Sequence, residues 1–277
     1  MQITILNSKT LKAGQKIYIT QNGLISNTKK LLSNASTNNT IETNKNSITY
    51  FGYNEDKNKN TETSVDFYLP PLSNVKDNEK YIGRYFQIVF NVIMKKYYIK
   101  DLGVGLGTFI KIKDYFLLKD NSLINIGDSF LVINFESEVK HCDEHQSLST
   151  IESKYQGIDK KIIIKIFEEG NSTKTQHTIT YTFNPNENRV IQIGRKNHGN
   201  DIELDDTLIS KTNTTIEYND KEGWILKDGK YETNNSIKEM KQSTNGTWVL
   251  VIDEYPITKG LIFKGHFNLF CCDFISN

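Results

Sequence analysis

Residues 190–218 have the sequence VIQIGRKNHGNDIELDDTLISKTNTTIEY, in which two apolar, β-branched segments flank a long polar stretch. Apolar and polar residues alternate in VIQIG and again in TTIEY, and this alternation is typical of strands that bury one face. The polar residues between the two segments are typical of loops and turns. The stretch therefore predicts two strands whose ends carry a polar, loop-forming connection.

The same pattern continues in both directions along the chain. Short strand-like segments occur in both halves, for example QITILNS from residue 2, FQIVFNVI from residue 86, KIIIKIF from residue 161 and GWILKDG from residue 223. No segment of useful length has the apolar spacing of a stable helix. The sequence predicts an all-β fold, a sandwich or a barrel built from many short strands.

Length and composition exclude several classes of protein. The chain has 277 residues, enough for two domains, and 37% of them are hydrophobic, which excludes wholesale disorder. With 34 basic and 33 acidic residues the net charge is +1, so no binding to nucleic acid or to a membrane is expected. Three cysteines and no apolar leader or span indicate an intracellular protein, without distinguishing a cytoplasmic, nuclear or ciliary location.

The two halves of the chain share an ordered series of glycine-containing segments. Nearly the same interval separates Gly107 from Gly127 and Gly246 from Gly265, and the other intervals differ where polar insertions occur. Residues 138–159 are polar and lack strand alternation, which is typical of a linker. The sequence therefore predicts two copies of one β-sandwich, in residues 1–137 and 160–277, joined by this linker.

Three short motifs follow one another in the second half. They are IGR at residues 193–195, LISKTNTTI at 208–216 and STNGTWV at 243–249. The set resembles the forkhead-associated (FHA) domain, whose pattern is Gly-Arg, then Ser-Arg-X-His, then Ser/Thr-X-Asn-Gly-Thr. The resemblance covers residues 160–277 and, in weaker form, residues 1–137. It implies tandem FHA-type β-sandwiches that bind a phosphothreonine-containing partner protein.

The resemblance also implies roles for individual residues. Arg195 and Lys211 would contact the phosphate, Ser210 would donate its hydroxyl, Thr244 would line the pocket, and Asn245 would bind the peptide main chain. These residue types suit a phosphate dianion, which is best held by a guanidinium together with hydroxyl and amine donors. An alternative is that Arg195 only pairs with a surface carboxylate such as Asp201 or Asp205.

The rest of the motif concerns the backbone and the support of the loops. Gly194, Gly246 and Thr247 match the family pattern, and Gly246 would supply the turn because glycine is free to adopt positive φ. Asn213 occupies the position where the family usually has the His that supports the binding loops. Asn can replace that His only through hydrogen bonds of its side-chain amide.

The first half has lost most of the motif. Aligned by the same pattern, Tyr53 replaces the first Arg, Gly83 the Ser, Phe86 the His and Leu106 the Asn. The motif residues that remain in the first half are Arg84, Gly107 and Thr108. The first copy is therefore expected to be a packing or protein-interaction module that does not bind phosphate.

Other functional patterns receive no support. Gly103, Gly105 and Gly107 are followed by strand-like residues, whereas a nucleotide-binding loop requires a helix there. The stretch HCDEH at residues 141–145 has no second cluster that would complete a zinc site. No catalytic arrangement is present, so the sequence predicts no metal, no cofactor and no enzymatic activity. The alternative function is a constitutive scaffold subunit of a larger assembly, for example a ciliary one, that never binds phosphate.

Overall fold

The computed structural model describes residues 1–25, 47–54, 64–71, 81–137, 160–168, 178–234 and 237–275. These residues form strands joined by turns and contain no α-helix, which confirms the predicted all-β fold. They also contain no helix long and apolar enough to cross a membrane. The predicted linker at 138–159 and the HCDEH stretch lie outside the described residues.

The chain folds into two compact units that do not coincide with its two halves. Unit 1 contains residues 1–110 and 250–277, and unit 2 contains residues 111–249. In chain order the strands of the first half are β1 (Gln2–Ser8), β2 (Lys16–Thr20), β3 (Gly23–Ile25), β4 (Ser47–Tyr53), β5 (Phe67–Tyr68), β6 (Gly83–Asn91), β7 (Lys96–Asp101), β8 (Thr108–Lys111), β9 (Phe116–Leu117), β10 (Leu123–Ile126) and β11 (Ser129–Ser137).

The second half contributes β12 (Lys160–Glu168), β13 (Thr178–Phe183), β14 (Val190–Arg195), β15 (Ile202–Leu204), β16 (Thr214–Asn219), β17 (Gly223–Asp228), β18 (Lys230–Asn234), β19 (Ile237–Lys241), β20 (Trp248–Leu250), β21 (Tyr255–Pro256), β22 (Ile262–Gly265) and β23 (Asn268–Asp273). Strands β18 and β19 form a separate antiparallel hairpin. Each unit contains one five-stranded sheet.

The same topology occurs in both units. In unit 2 one sheet has the order β15-β14-β16-β17-β9, and in unit 1 the corresponding order is β5-β4-β6-β7-β21. In each sheet the first pair is parallel and the next pair is antiparallel. The last strand in each case comes from the other half of the chain.

Strands outside the five-stranded sheets also pair between the two halves of the chain. In unit 2, β11 of the first half pairs with β12 of the second half over nine residue pairs, from Ser129↔Glu168 to Ser137↔Lys160. In unit 1, β1 pairs with β23, which belongs to the second half. The terminal strands have thus been exchanged, and the compact units differ from the predicted division into residues 1–137 and 160–277.

Apolar alternation explains why these segments form strands. Ile162, Ile164 and Ile166 of β12 are almost completely buried, whereas the residues between them are partly exposed. In unit 1 the core is aromatic: Phe51 stacks on Phe86 with ring centroids 4.5 Å apart, and Phe86 meets Phe263 edge to face at 5.4 Å. Each large apolar side chain buried in this way contributes about 1.5–3 kcal/mol.

Candidate functional site

Three loops of unit 2 meet at one end of its sheets. The first begins at Arg195, the last residue of β14. The second precedes β16 and carries Ser210 and Lys211, and the third precedes β20 and carries Thr244 and Asn245. A Cβ atom added at Gly194 would lie 2.1 Å from the Lys211 carbonyl oxygen, so only glycine allows this close approach. The backbone N–H of Arg195 donates to the Lys211 carbonyl at 3.1 Å.

The Ser210 hydroxyl joins the second and third loops. It accepts a hydrogen bond from the backbone N–H of Thr244 at 3.0 Å, and its Oγ lies 3.4 Å from the Thr244 Oγ1. Ser210 is half-buried and Thr244 is exposed. Two hydroxyl groups from different loops therefore lie side by side at the surface.

The Arg195 guanidinium has few internal partners. Its Nη1 donates to the Thr207 carbonyl at 3.1 Å, and its Nε is buried without a hydrogen-bond partner in the described part of the chain. Asp205 instead pairs with Lys196 at 3.3 Å, and Asp201 accepts the backbone N–H of Gln192 at 2.7 Å. Among the described residues Arg195 has no carboxylate partner, so the alternative surface ion pair is not found.

Asn213 supports the loops from inside. Its side chain is fully buried, and its Oδ1 accepts the backbone N–H of Ser210 at 3.3 Å. Its Nδ2 donates to the hydroxyls of Thr214 at 3.2 Å and Thr247 at 3.4 Å. The amide thus connects the loop before β16 with the loop before β20, which is the supporting role that the sequence left open for this position.

Asp228 belongs to the same network and was not found from the sequence. This carboxylate is 1% exposed and accepts hydrogen bonds from the Ser243 hydroxyl at 2.6 Å and the Thr247 hydroxyl at 2.9 Å. Ser243 Oγ in turn accepts the backbone N–H of Gly246 at 2.9 Å. Asp228 ends strand β17, and the sequence could not reveal its role because its partners are remote in the chain.

Asn245 makes a contact within the site. Its Nδ2 donates to the Leu208 carbonyl at 2.7 Å, and its own carbonyl accepts the Trp248 indole N–H at 3.1 Å. Gly246, the next residue, has φ of +81°, a conformation that side-chain-bearing residues rarely adopt. These contacts fix the turn. The contact of Asn245 with the main chain of a bound peptide stays a prediction.

The corresponding loops of unit 1 share part of this backbone arrangement. Gly52 approaches the Gly83 carbonyl in the way that Gly194 approaches Lys211, with an added Cβ 2.1 Å from the oxygen in both cases. Phe51 of β4 pairs with Phe86 of β6 in unit 1, and Ile193 of β14 pairs with Thr214 of β16 at the corresponding place in unit 2. A bulge follows Phe51 in unit 1.

This pairing shifts the predicted alignment of the first half by one residue. Gly83 corresponds to Lys211 rather than to Ser210, and Tyr85, not Phe86, corresponds to Asn213. The motif alignment missed the shift because it placed Arg84 at the cation position of the motif by residue type alone.

Arg84 therefore corresponds to no cation of the second site. Its guanidinium lies 3.8 Å from the centre of the Tyr50 ring, and its Nε donates to the Ser64 carbonyl at 2.8 Å. Tyr53 and Phe86 are buried, whereas Leu106 is 49% exposed. The residues at the predicted first site thus provide a stacked arginine and apolar side chains in place of the donor set of unit 2.

Comparison with known proteins agrees with the second site. Residues 191–264 match the family model of the FHA domain. No curated protein and no solved structure matches the chain. The matched segment includes Arg195, Ser210 and Asn245, which the structure brings to one surface. The chain therefore contains an FHA domain, a β-sandwich module for protein–protein interaction, in residues 191–264.

Proposed function

We propose that the loops of unit 2 bind a phosphothreonine-containing segment of a partner protein. The observation that supports this most directly is the Arg195 guanidinium, which donates to the Thr207 carbonyl at 3.1 Å and has no carboxylate partner in the described residues. A guanidinium with free N–H donors is the group best suited to hold a phosphate by paired, charge-assisted hydrogen bonds.

The other site residues complete the phosphate shell. Lys211 is exposed and follows Ser210 directly, so its ammonium can approach the same anion. Ser210 and Thr244 offer hydroxyl donors from two loops, and Asn213 and Asp228 hold these loops in place through buried hydrogen bonds. Because the loops are ordered before a ligand arrives, little entropy is lost on binding.

Unit 1 has a different role in this proposal. The positions that correspond to Arg195 and Lys211 are Tyr53 and Gly83, and Arg84 is held by Tyr50 and Ser64. Without cations a dianion would lose its hydration with little in return. We therefore assign to unit 1 a packing or protein-interaction role that does not involve phosphate. No catalytic role is proposed for either unit.

Fluorescence anisotropy of the full chain with phosphothreonine peptides tests the proposal. We expect Arg195→Ala to weaken binding by about tenfold or more, because hydrogen bonds to charged groups are worth about 1.5–3 kcal/mol. Arg189→Ala is the matched control, since Arg189 lies before the opposite end of β14 and pairs with Asp220 at 2.7 Å. Equal binding of phosphorylated and unphosphorylated peptides, or no effect of Arg195→Ala, would contradict the proposal.

The second candidate function is a constitutive scaffold subunit. It is favoured by the loops of unit 1, where a stacked arginine and apolar side chains replace the donor set of unit 2. Purification from the native source separates the two functions. A stoichiometric complex that survives phosphatase treatment supports the scaffold, whereas a complex that dissociates supports phosphothreonine recognition.

A further inference from the structure

Lys111 lies against the glycine of the third binding loop. A Cβ atom added at Gly246 would lie 2.3 Å from the Lys111 Cε and 3.1 Å from its Nζ, so the lysine side chain passes directly over the Gly246 backbone. Lys111 is the last residue of β8 and the first residue of unit 2. It therefore belongs to the same unit as the binding loops, although it comes from the first half of the chain.

Backbone contacts fix this position. The N–H of Ile112 donates to the Thr247 carbonyl at 2.9 Å, and the Gln242 Nε2 donates to the Lys113 carbonyl at 3.0 Å. Residues 111–113 thus run alongside the whole loop from Gln242 to Thr247. The lysine stem is held next to the loop, and only its end remains free to move.

The Lys111 ammonium is available for a ligand. In the described part of the chain it makes no hydrogen bond and no ion pair. The corresponding contact in unit 1 is apolar, since a Cβ atom at Gly107 would lie 3.0 Å from the Leu250 Cδ1. Lys111 thus lies against the loop glycine in unit 2, whose loops carry Arg195 and Lys211. Leu250 takes the corresponding place in unit 1, whose loops lack these cations.

We propose that Lys111 binds a second negative charge of the ligand, an acidic side chain close to the phosphothreonine. This inference rests on the proposed phosphothreonine binding by unit 2. Gly246 is two residues beyond Thr244, which separates their Cα atoms by at most about 7 Å. The ammonium thus lies close to the residues proposed to hold the phosphate, within the distance of about 8–10 Å over which charges interact in physiological salt.

The test uses the full chain and two phosphothreonine peptide libraries. One library carries Asp or Glu at the positions that flank the phosphothreonine, and the other carries Asn or Gln there. We expect wild type to bind the acidic library about two- to fivefold more tightly, which is the range for an exposed charge pair. Lys111→Gln should abolish this preference, and Lys111→Arg should retain it.

Lys113→Gln is the matched control. Lys113 is exposed and only two residues away, and the Gln242 contact uses its backbone carbonyl, which the substitution leaves in place. The control should keep the wild-type preference. Three results would overturn the inference: no preference in wild type, a preference that survives Lys111→Gln, or an equal loss of affinity for both libraries. If wild type binds no phosphothreonine peptide at all, the proposed function itself fails.

Discussion

Thr247 is the residue through which the buried network of unit 2 can be tested most directly. Its side chain is fully buried, and its hydroxyl lies 2.7 Å from the Thr214 hydroxyl and donates to Asp228 Oδ1 at 2.9 Å. Thr247→Val keeps the shape of the side chain and removes these hydrogen bonds. A bond to a charged group is worth about 1.5–3 kcal/mol and a neutral one about 1 kcal/mol. We therefore expect the unfolding free energy of unit 2 to fall by about 2–4 kcal/mol.

Tryptophan fluorescence during urea unfolding provides the assay. The chain has two tryptophans, and both Trp224 and Trp248 are buried in unit 2, so their emission reports on this unit alone. With a urea slope of about 2 kcal/mol per molar, the transition midpoint should fall by about 1–2 M.

Thr108→Val is the matched control in unit 1. Thr108 follows Gly107 as Thr247 follows Gly246, and it is equally buried, but it lies in unit 1, which contains neither tryptophan. This substitution should leave the tryptophan transition unchanged. If Thr247→Val shifts the tryptophan transition no further than Thr108→Val does, the network contributes nothing to the stability of unit 2 and the reasoning is wrong.

Two further predictions concern the exchanged strands and the acid stability of unit 1. A fragment of residues 111–249 contains both β11 and β12, which pair over nine residues, so tryptophan fluorescence should show cooperative unfolding of this fragment. A fragment of residues 160–277 lacks β11 and should not unfold cooperatively. Cooperative unfolding of residues 160–277 alone would refute the exchange. Burial lowers the pKa of His266 to about 4. As the pH falls from 6.5 to 4, this side chain therefore binds a proton only in the unfolded state. The unfolding free energy of unit 1 should fall by at most about 3 kcal/mol over this range. Asn tolerates the positive φ at this position, so His266→Asn should remove this loss of unfolding free energy, as measured by circular dichroism at several pH values. If the unfolding free energy of His266→Asn depends on pH as steeply as that of wild type, His266 is not the cause.

Much of the second site could be predicted from residue types and their order. In the structure Arg195 ends β14, whereas Ser210 and Thr244 lie in the loops before β16 and β20, and hydrogen bonds join these three segments. Such prediction succeeds because alternating apolar residues determine which segments are strands. The pairing of these strands then restricts where the loops between them can lie. The phosphate-binding role of these residues remains a prediction.

The supporting residues could not be predicted in the same way. Asp228 contacts Ser243 and Thr247 across the fold, and nothing local in the sequence distinguishes it from an exposed carboxylate at a strand end. Similarly, the pairing of Phe51 with Phe86 puts Tyr85 in the place that the motif alignment gave to Phe86. A shift of one residue reverses the face of a strand, but it leaves the composition of the motif almost unchanged.

By itself the sequence determined the all-β class, the strand segments and the FHA motif of residues 191–264, because each depends on local alternation or on short-range order. The partners of the terminal strands were decided only by the tertiary structure. β11 pairs with β12 and β1 pairs with β23, so each unit is completed by the other half of the chain, and Lys111 lies beside Gly246. Two halves with similar strands offer similar pairing surfaces, and the choice between them depends on the packing of the whole chain rather than on any one segment.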